Sequence, residues 1–148
     1  MINKIAHIGL TVTDIERSIS FYQNILNFKY IGSMKMSGLS TEKLFDRKGC
    51  EARVAYLQSD ESSPLVELIE FTDQPSIKEK SSLFKTSISE LCFYVDDINK
   101  EYDRLKSLGV KFISEPQEFD STEYGFGKSI AVYFYDLDEN IIELIQDR

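Results

Sequence analysis

Apolar and polar positions along the chain follow the same order twice. Residues 5–12 are a short apolar run closed by a polar break, which predicts a strand. Ile15, Ile19, Tyr22, Ile25 and Leu26 then recur at spacings of three and four, the helical period. Asp14 or Thr13 is placed to cap that helix, and Glu16 stands near the positive end of its dipole. The helix should run about three turns, to near Asn27. Residues 28–32, 52–57 and 65–71 read as three strands between polar loops, completing a β-α-β-β-β unit. Residues 72–86 turn polar, with Pro75 and a lysine- and serine-rich stretch, and read as a connector. The order then restarts. Residues 88–95 predict a strand, Asp96-Asp97 supplies a cap, and Ile98, Tyr102, Leu105 and Leu108 mark a helix stopped by Gly109. Strands are expected at 110–114, 130–136 and 140–145.

The two halves superpose position by position. Val12-Thr13-Asp14-Ile15 matches Val95-Asp96-Asp97-Ile98 at an offset of 83, which sets His7 opposite Glu90. Val66-Glu67-Leu68-Ile69 matches Ile142-Glu143-Leu144-Ile145 at an offset of 76, which sets Glu67 opposite Glu143. The first half therefore has longer loops, chiefly at 33–51. Such a repeat dictates architecture. We expect one α+β domain over 1–148 made of two tandem βαβββ modules, module 1 at about 1–71, connector 72–86 and module 2 at about 87–148.

Composition narrows the function classes. Against 25 Asp and Glu stand 17 Lys and Arg, for a net charge of −8. That balance argues against nucleic acid, whose binding rests on neutralising phosphates, and offers no polybasic patch to a membrane. Two cysteines 42 positions apart suggest neither a disulfide scaffold nor a cysteine zinc site. With no apolar leader or spanning segment, a cytoplasmic protein is expected. Cys92 reads as a small buried residue rather than a nucleophile. The segment 116–128 reads as either a flap or an ordinary loop, and Lys128 as a solvated lysine.

Against this background the one histidine stands out. Side chains alternate along a strand, so His7 shares a face with Ile5, Gly9 and Thr11, and Glu67 with Leu65, Ile69 and Phe71. Glu90 shares a face with Ile88, Cys92 and Tyr94, and Glu143 lies between Ile141 and Ile145. Taken singly, His7 reads as a hydrogen-bonded structural residue and each Glu as solvated. As a repeat-related quartet they suggest a converging site, because burying ionised carboxylates costs several kcal/mol unless something compensates, and a divalent cation would. A second histidine for H-E-x-x-H, a G-x-S-x-G elbow, a P-loop and a G-x-G-x-x-G are all lacking.

These residues resemble the vicinal oxygen chelate superfamily, the glyoxalase, bleomycin-resistance and extradiol-dioxygenase group. The matching stretches are the H-x-G-L-x-V-x-D of residues 7–14, Phe21-Tyr22 with Leu26, Val66-Glu67-Leu68-Ile69, and residues 133–144 ending in Glu143-Leu144. The resemblance implies paired βαβββ modules whose curved mixed sheets form a cleft around a divalent metal, with His7, Glu67 and Glu143 on ligand positions. Glu90 stands where the family usually has a second His. Leu137 and Glu139 replace the frequent Pro and Gly of a D-P-D-G turn.

With neutral His7 and three carboxylates, a divalent ion would leave a net charge of −1. The ion is left among Mn, Co, Ni, Mg, Fe and Zn, with more oxygen donors favouring harder, octahedral Mn²⁺, Mg²⁺ or Co²⁺. Glu90 is then a ligand, or a base off the metal, or the sign of a site that has lost its metal. The leading expectation is a glyoxalase-like lyase or isomerase of a small oxygenated substrate. There the cation stabilises an enediolate and Glu143 or Glu67 moves the proton. A bleomycin-resistance-like protein that sequesters a ligand without catalysis is the alternative, drawing on ten Phe and eight Tyr that include Tyr133 and Tyr135. A ring-cleaving dioxygenase, with two His and one carboxylate on Fe(II), fits one histidine less well. The resemblance also implies a small-molecule partner and pairing as a homodimer.

Overall fold

The computed structural model describes Met1 and residues 3–148. The chain divides into two compact units, Met1–Lys78 and Glu79–Arg148, each built on its own mixed sheet.

In the first unit, β1 (His7–Thr11) leads into α1 (Ile15–Ser20), which continues as a π-helical turn over Phe21–Ile25. Asp14 caps α1, its carboxylate accepting from the Arg17 backbone N–H at 3.0 Å. The expected single helix thus changes pitch halfway, and Leu26 N–H donates to the Phe21 carbonyl five residues back. β2 (Lys29–Met36), β3 (Ala52–Gln58) and β4 (Leu65–Phe71) complete the sheet in the order β1-β4-β3-β2, with β1 and β4 parallel and the other pairs antiparallel. A short helix, α2 (Leu39–Leu44), interrupts the long loop where only irregular chain was expected. Alternation decides the faces: Ala55, Leu57, Val66 and Leu68 share one buried face, and Tyr56 and Glu67 point to the other.

The second unit repeats the plan with β5 (Leu91–Tyr94), α3 (Ile98–Ser107), β6 (Lys111–Phe112), β7 (Gln117–Ser121), β8 (Gly127–Tyr135) and β9 (Ile141–Asp147). Asp97 caps α3 through the Lys100 N–H at 3.0 Å. The order is β5-β9-β8-β6, with β7 also on β8 and β5 parallel to β9. Ile98 and Leu105 of α3 are buried, as are Val132, Phe134, Ile142 and Leu144 of the sheet. The 116–128 segment is an ordered hairpin arm: β7 pairs with β8, a 3-10 turn spans Thr122–Tyr124, and Lys128 meets Asp120 at 3.1 Å. No helix among the described residues is long and apolar enough to cross a membrane.

Candidate functional site

Each unit builds the same row across three strands. In the first, Gly9 of β1 stands opposite Glu67 of β4, and Glu67 stands opposite Tyr56 of β3. In the second, Cys92 of β5 stands opposite Glu143 of β9, and Glu143 opposite Tyr133 of β8. His7 and Glu90 lie two residues before Gly9 and Cys92.

In the first row, the Glu67 side chain keeps only 12% of its exposure, and the Tyr56 hydroxyl offsets the lost hydration by donating to Oε1 at 2.7 Å. Oε2 lies 3.5 Å from His7 Nε2, too far for a well-formed hydrogen bond. The imidazole meets the Tyr56 ring edge-on, with centroids 5.9 Å apart. A Cβ at position 9 would come within 3.2 Å of Oε2, so the glycine leaves open the space beside that oxygen. The hydrogen bond to Glu67, then desolvation and the carboxylate charge, push the Tyr56 phenol up to about 12, so it stays a donor at neutral pH.

The second row is filled where the first is open. Cys92 puts a thiol where the first row has Gly9. Desolvation first, then a hydrogen bond to Glu143 and the charges of Glu143 and Glu90, push that thiol up to about 12. The Tyr133 phenol is also raised, mainly by desolvation and next by the charges of Glu143 and Glu90. Glu90 and Glu143 therefore both act on the Cys92–Tyr133 neighbourhood.

Three expectations need correction. His7 is not mid-strand: it opens β1, an outer strand of its sheet, and its side chain is 45% exposed. Glu90 is not mid-strand, since β5 begins at Leu91 and the preceding Ile88 is exposed, without ladder partners to hold it. Cys92 is an exposed residue, not a buried one, although its sulfur is desolvated.

The four predicted ligands thus fall into pairs, His7 with Glu67 in one unit, and Glu90 with Glu143 around Cys92 in the other. Within either unit, among the described residues, no three His, Cys, Asp or Glu side chains gather as a metal cluster. The first pair has the spacing a shared cation needs. Two ligands each about 2.1 Å from one ion, at angles of about 90–110°, are separated by about 3.0–3.5 Å. The observed 3.5 Å falls at the upper end of that range, and the gap at Gly9 lies on the same oxygen. Sequence reasoning missed Tyr56, which reads as core in the run Ala55-Tyr56-Leu57 until the β3–β4 register sets it against Glu67.

Comparison with known proteins agrees with the duplicated architecture. The sequence profile of the Glyoxalase/Bleomycin resistance protein/Dioxygenase superfamily matches residues 4–144. The fosfomycin resistance protein FosX of Listeria monocytogenes is 28% identical over 97% of this chain and 90% of its own length. The uncharacterized protein YurT of Bacillus subtilis is 26% identical over 97% of this chain and 98% of its own. Among solved structures, a glyoxalase family protein from Bacillus cereus superposes with a TM-score of 0.83 at 17% identity, covering 99% of this chain and 95% of that one. Listeria FosX superposes with 0.66 at 20% identity, covering 100% and 96%. The structural likenesses carry the fold, and the profile spans nearly the whole chain: this protein belongs to the glyoxalase/bleomycin resistance/dioxygenase superfamily.

Proposed function

We propose that the protein is a metal-dependent enzyme acting on a small oxygenated substrate, a lyase or isomerase of the glyoxalase kind, with His7, Glu67, Glu90 and Glu143 holding the cation. The observation that carries this reading is the recurrence of one carboxylate-centred strand row in both units, with His7 and Glu90 at repeat-equivalent places beside it. When bound, a divalent ion would polarise two vicinal substrate oxygens and stabilise negative charge developing between them. Glu67, tied at Oε1 and beside His7 at Oε2, is suited to hold the cation. Glu143, in addition to its place in that ligand set, takes the proton from the carbon next to the polarised oxygens and returns it to the neighbouring carbon. Glu67 is its alternate in that role. Oxygen-rich ligation favours Mn²⁺, Mg²⁺ or Co²⁺. A homodimer in the cytoplasm is part of the same proposal.

A second reading draws on the 28% identity to FosX, namely that the small molecule is fosfomycin. Metal analysis of the purified protein, followed by a lactoylglutathione, hydroxyacyl-CoA and fosfomycin panel with and without chelator, tests both readings. Chelator-sensitive turnover of a thioester substrate supports the first, and chelator-sensitive loss of fosfomycin the second. No bound metal and no turnover sinks both. Stoichiometric protection of a ligand without product would assign the protein to sequestration instead.

A further inference from the structure

The hydroxyl of Tyr56 does something the sheet does not require. Backbone pairing already sets β3 against β4 from Ala52↔Phe71 to Leu57↔Val66, and a phenylalanine would fill the same space. What the hydroxyl adds is occupancy of Glu67 Oε1, at 2.7 Å. The other oxygen faces the gap that Gly9 leaves and His7 Nε2 at 3.5 Å, while the Tyr56 ring packs against the imidazole. One side chain therefore touches both members of the pair and distinguishes the two oxygens of the carboxylate.

We propose that Tyr56 is the positioning residue of the His7–Glu67 pair, restricting Glu67 to a one-oxygen ligand and thereby favouring small octahedral cations over calcium. The inference rests on the reading above, in which this pair holds a cation. A free carboxylate offers one oxygen or two. Calcium, with six to eight ligands at longer distances, readily accepts both, whereas Mg²⁺ and ions like it demand near-ideal octahedral geometry. With Oε1 engaged by the phenol, the two-oxygen mode is blocked. Outer partners of this kind typically contribute 10–100-fold to metal affinity.

The test is Mn²⁺ titration of the full chain, followed by electron paramagnetic resonance of the free ion, with Ca²⁺ as competitor. It compares the native protein with Tyr56→Phe, His7→Ala and Glu67→Gln. Tyr56→Phe keeps the ring, and its unfolding midpoint reports that the fold is retained. The expected result is Mn²⁺ binding about tenfold or more weaker in Tyr56→Phe, with Ca²⁺ binding unchanged or tighter, so that the Mn²⁺/Ca²⁺ ratio falls. Unchanged Mn²⁺ affinity, or equal weakening for both ions, overturns the positioning role, and the proposed function survives if Glu67→Gln and His7→Ala still lose the ion. A native protein that binds no Mn²⁺, or Glu67→Gln and His7→Ala variants that bind it as the native chain does, overturns both.

Discussion

The gap at Gly9 makes the unit 1 site sensitive to a single methyl group. In Gly9→Ala the new Cβ would stand 3.2 Å from Glu67 Oε2 and 3.5 Å from Ile69 Cδ1. Only the first contact is tight, and relief needs the oxygen to retreat by about 0.2 Å or more to reach ordinary van der Waals distance. Gly9 lies in a β-strand, where alanine is the better residue by about 0.5–1 kcal/mol. Backbone gain and local crowding nearly cancel, and the global unfolding free energy should change by less than about 1 kcal/mol. The site has no such compensation. Oε1 is fixed by Tyr56, so the carboxylate can retreat only by turning Oε2 away from its place beside His7. A few tenths of an ångström at a ligand atom should weaken Mn²⁺ binding about tenfold, on the order of 1.4 kcal/mol. Urea unfolding and Mn²⁺ titration of the same preparation separate the two effects. The double variant Gly9→Ala/Tyr56→Phe should then lose less than the two single losses summed, because freeing Oε1 lets the whole carboxylate swing clear. Undiminished Mn²⁺ binding in Gly9→Ala, or strict additivity in the double variant, would refute this account of how Glu67 is held.

Other consequences can be checked separately. Asp14→Ala and Asp97→Ala each remove the carboxylate that accepts from a first-turn N–H, and each should lower the urea-unfolding free energy by about 1 kcal/mol, with equal losses expected because the two caps are repeat equivalents. Tyr56 is held near 12 in the folded chain against an ordinary 10, so its contribution is complete below pH 10 and is lost as pH rises toward 12. Unfolding curves across that window should fall less steeply for Tyr56→Phe. Cys92, exposed but raised to about 12 from 9, should carry roughly a thousandfold less thiolate at neutral pH than an ordinary cysteine and alkylate correspondingly slowly with iodoacetamide. Glu143→Gln should quicken that reaction by removing the neighbouring charge, and an unchanged rate would show that this charge does not act on the thiol.

How much of this was legible before the fold depends on how local each signal is. Residues 65–71 are a short, mostly apolar run bounded by polar loops and are β4 to the residue, and both helix caps follow from Asp placed just ahead of a period-3.6 pattern. Two elements escaped because they carry little apolar pattern. Gln117–Ser121 is held only by pairing with β8, and Leu39–Leu44 is too short to show a period. Ile88 misled in the opposite sense, since an apolar residue implied ladder where the chain is exposed. At the site, Glu67 and Glu143 announced themselves as charges inside apolar strands. The partners that give them unequal surroundings did not, because Gly9, Cys92, Tyr56 and Tyr133 are identified only by which strand lies opposite which.

The widened turn at Phe21–Ile25 accounts for a difference in length between the two modules. Each helix is capped by an aspartate and ends at a left-handed residue, Asn27 at φ 60° and Gly109 at φ 84°. From cap to left-handed residue the first copy takes 13 steps, Asp14 to Asn27, and the second takes 12, Asp97 to Gly109. The surplus residue sits where hydrogen bonding lengthens to five residues. The one-residue difference between the copies is thus taken up inside the helix rather than in a loop. Trimming one residue from 21–25 should therefore restore an ordinary α-helix of the second copy's length. It would also turn either Phe21 and Tyr22 or the chain that follows them by about 100° about the axis. Tyr22 is wholly buried and Phe28 packs on it at 5.7 Å, so that rotation would take this core contact apart. The surplus residue is thus one on which the packing of the first module depends.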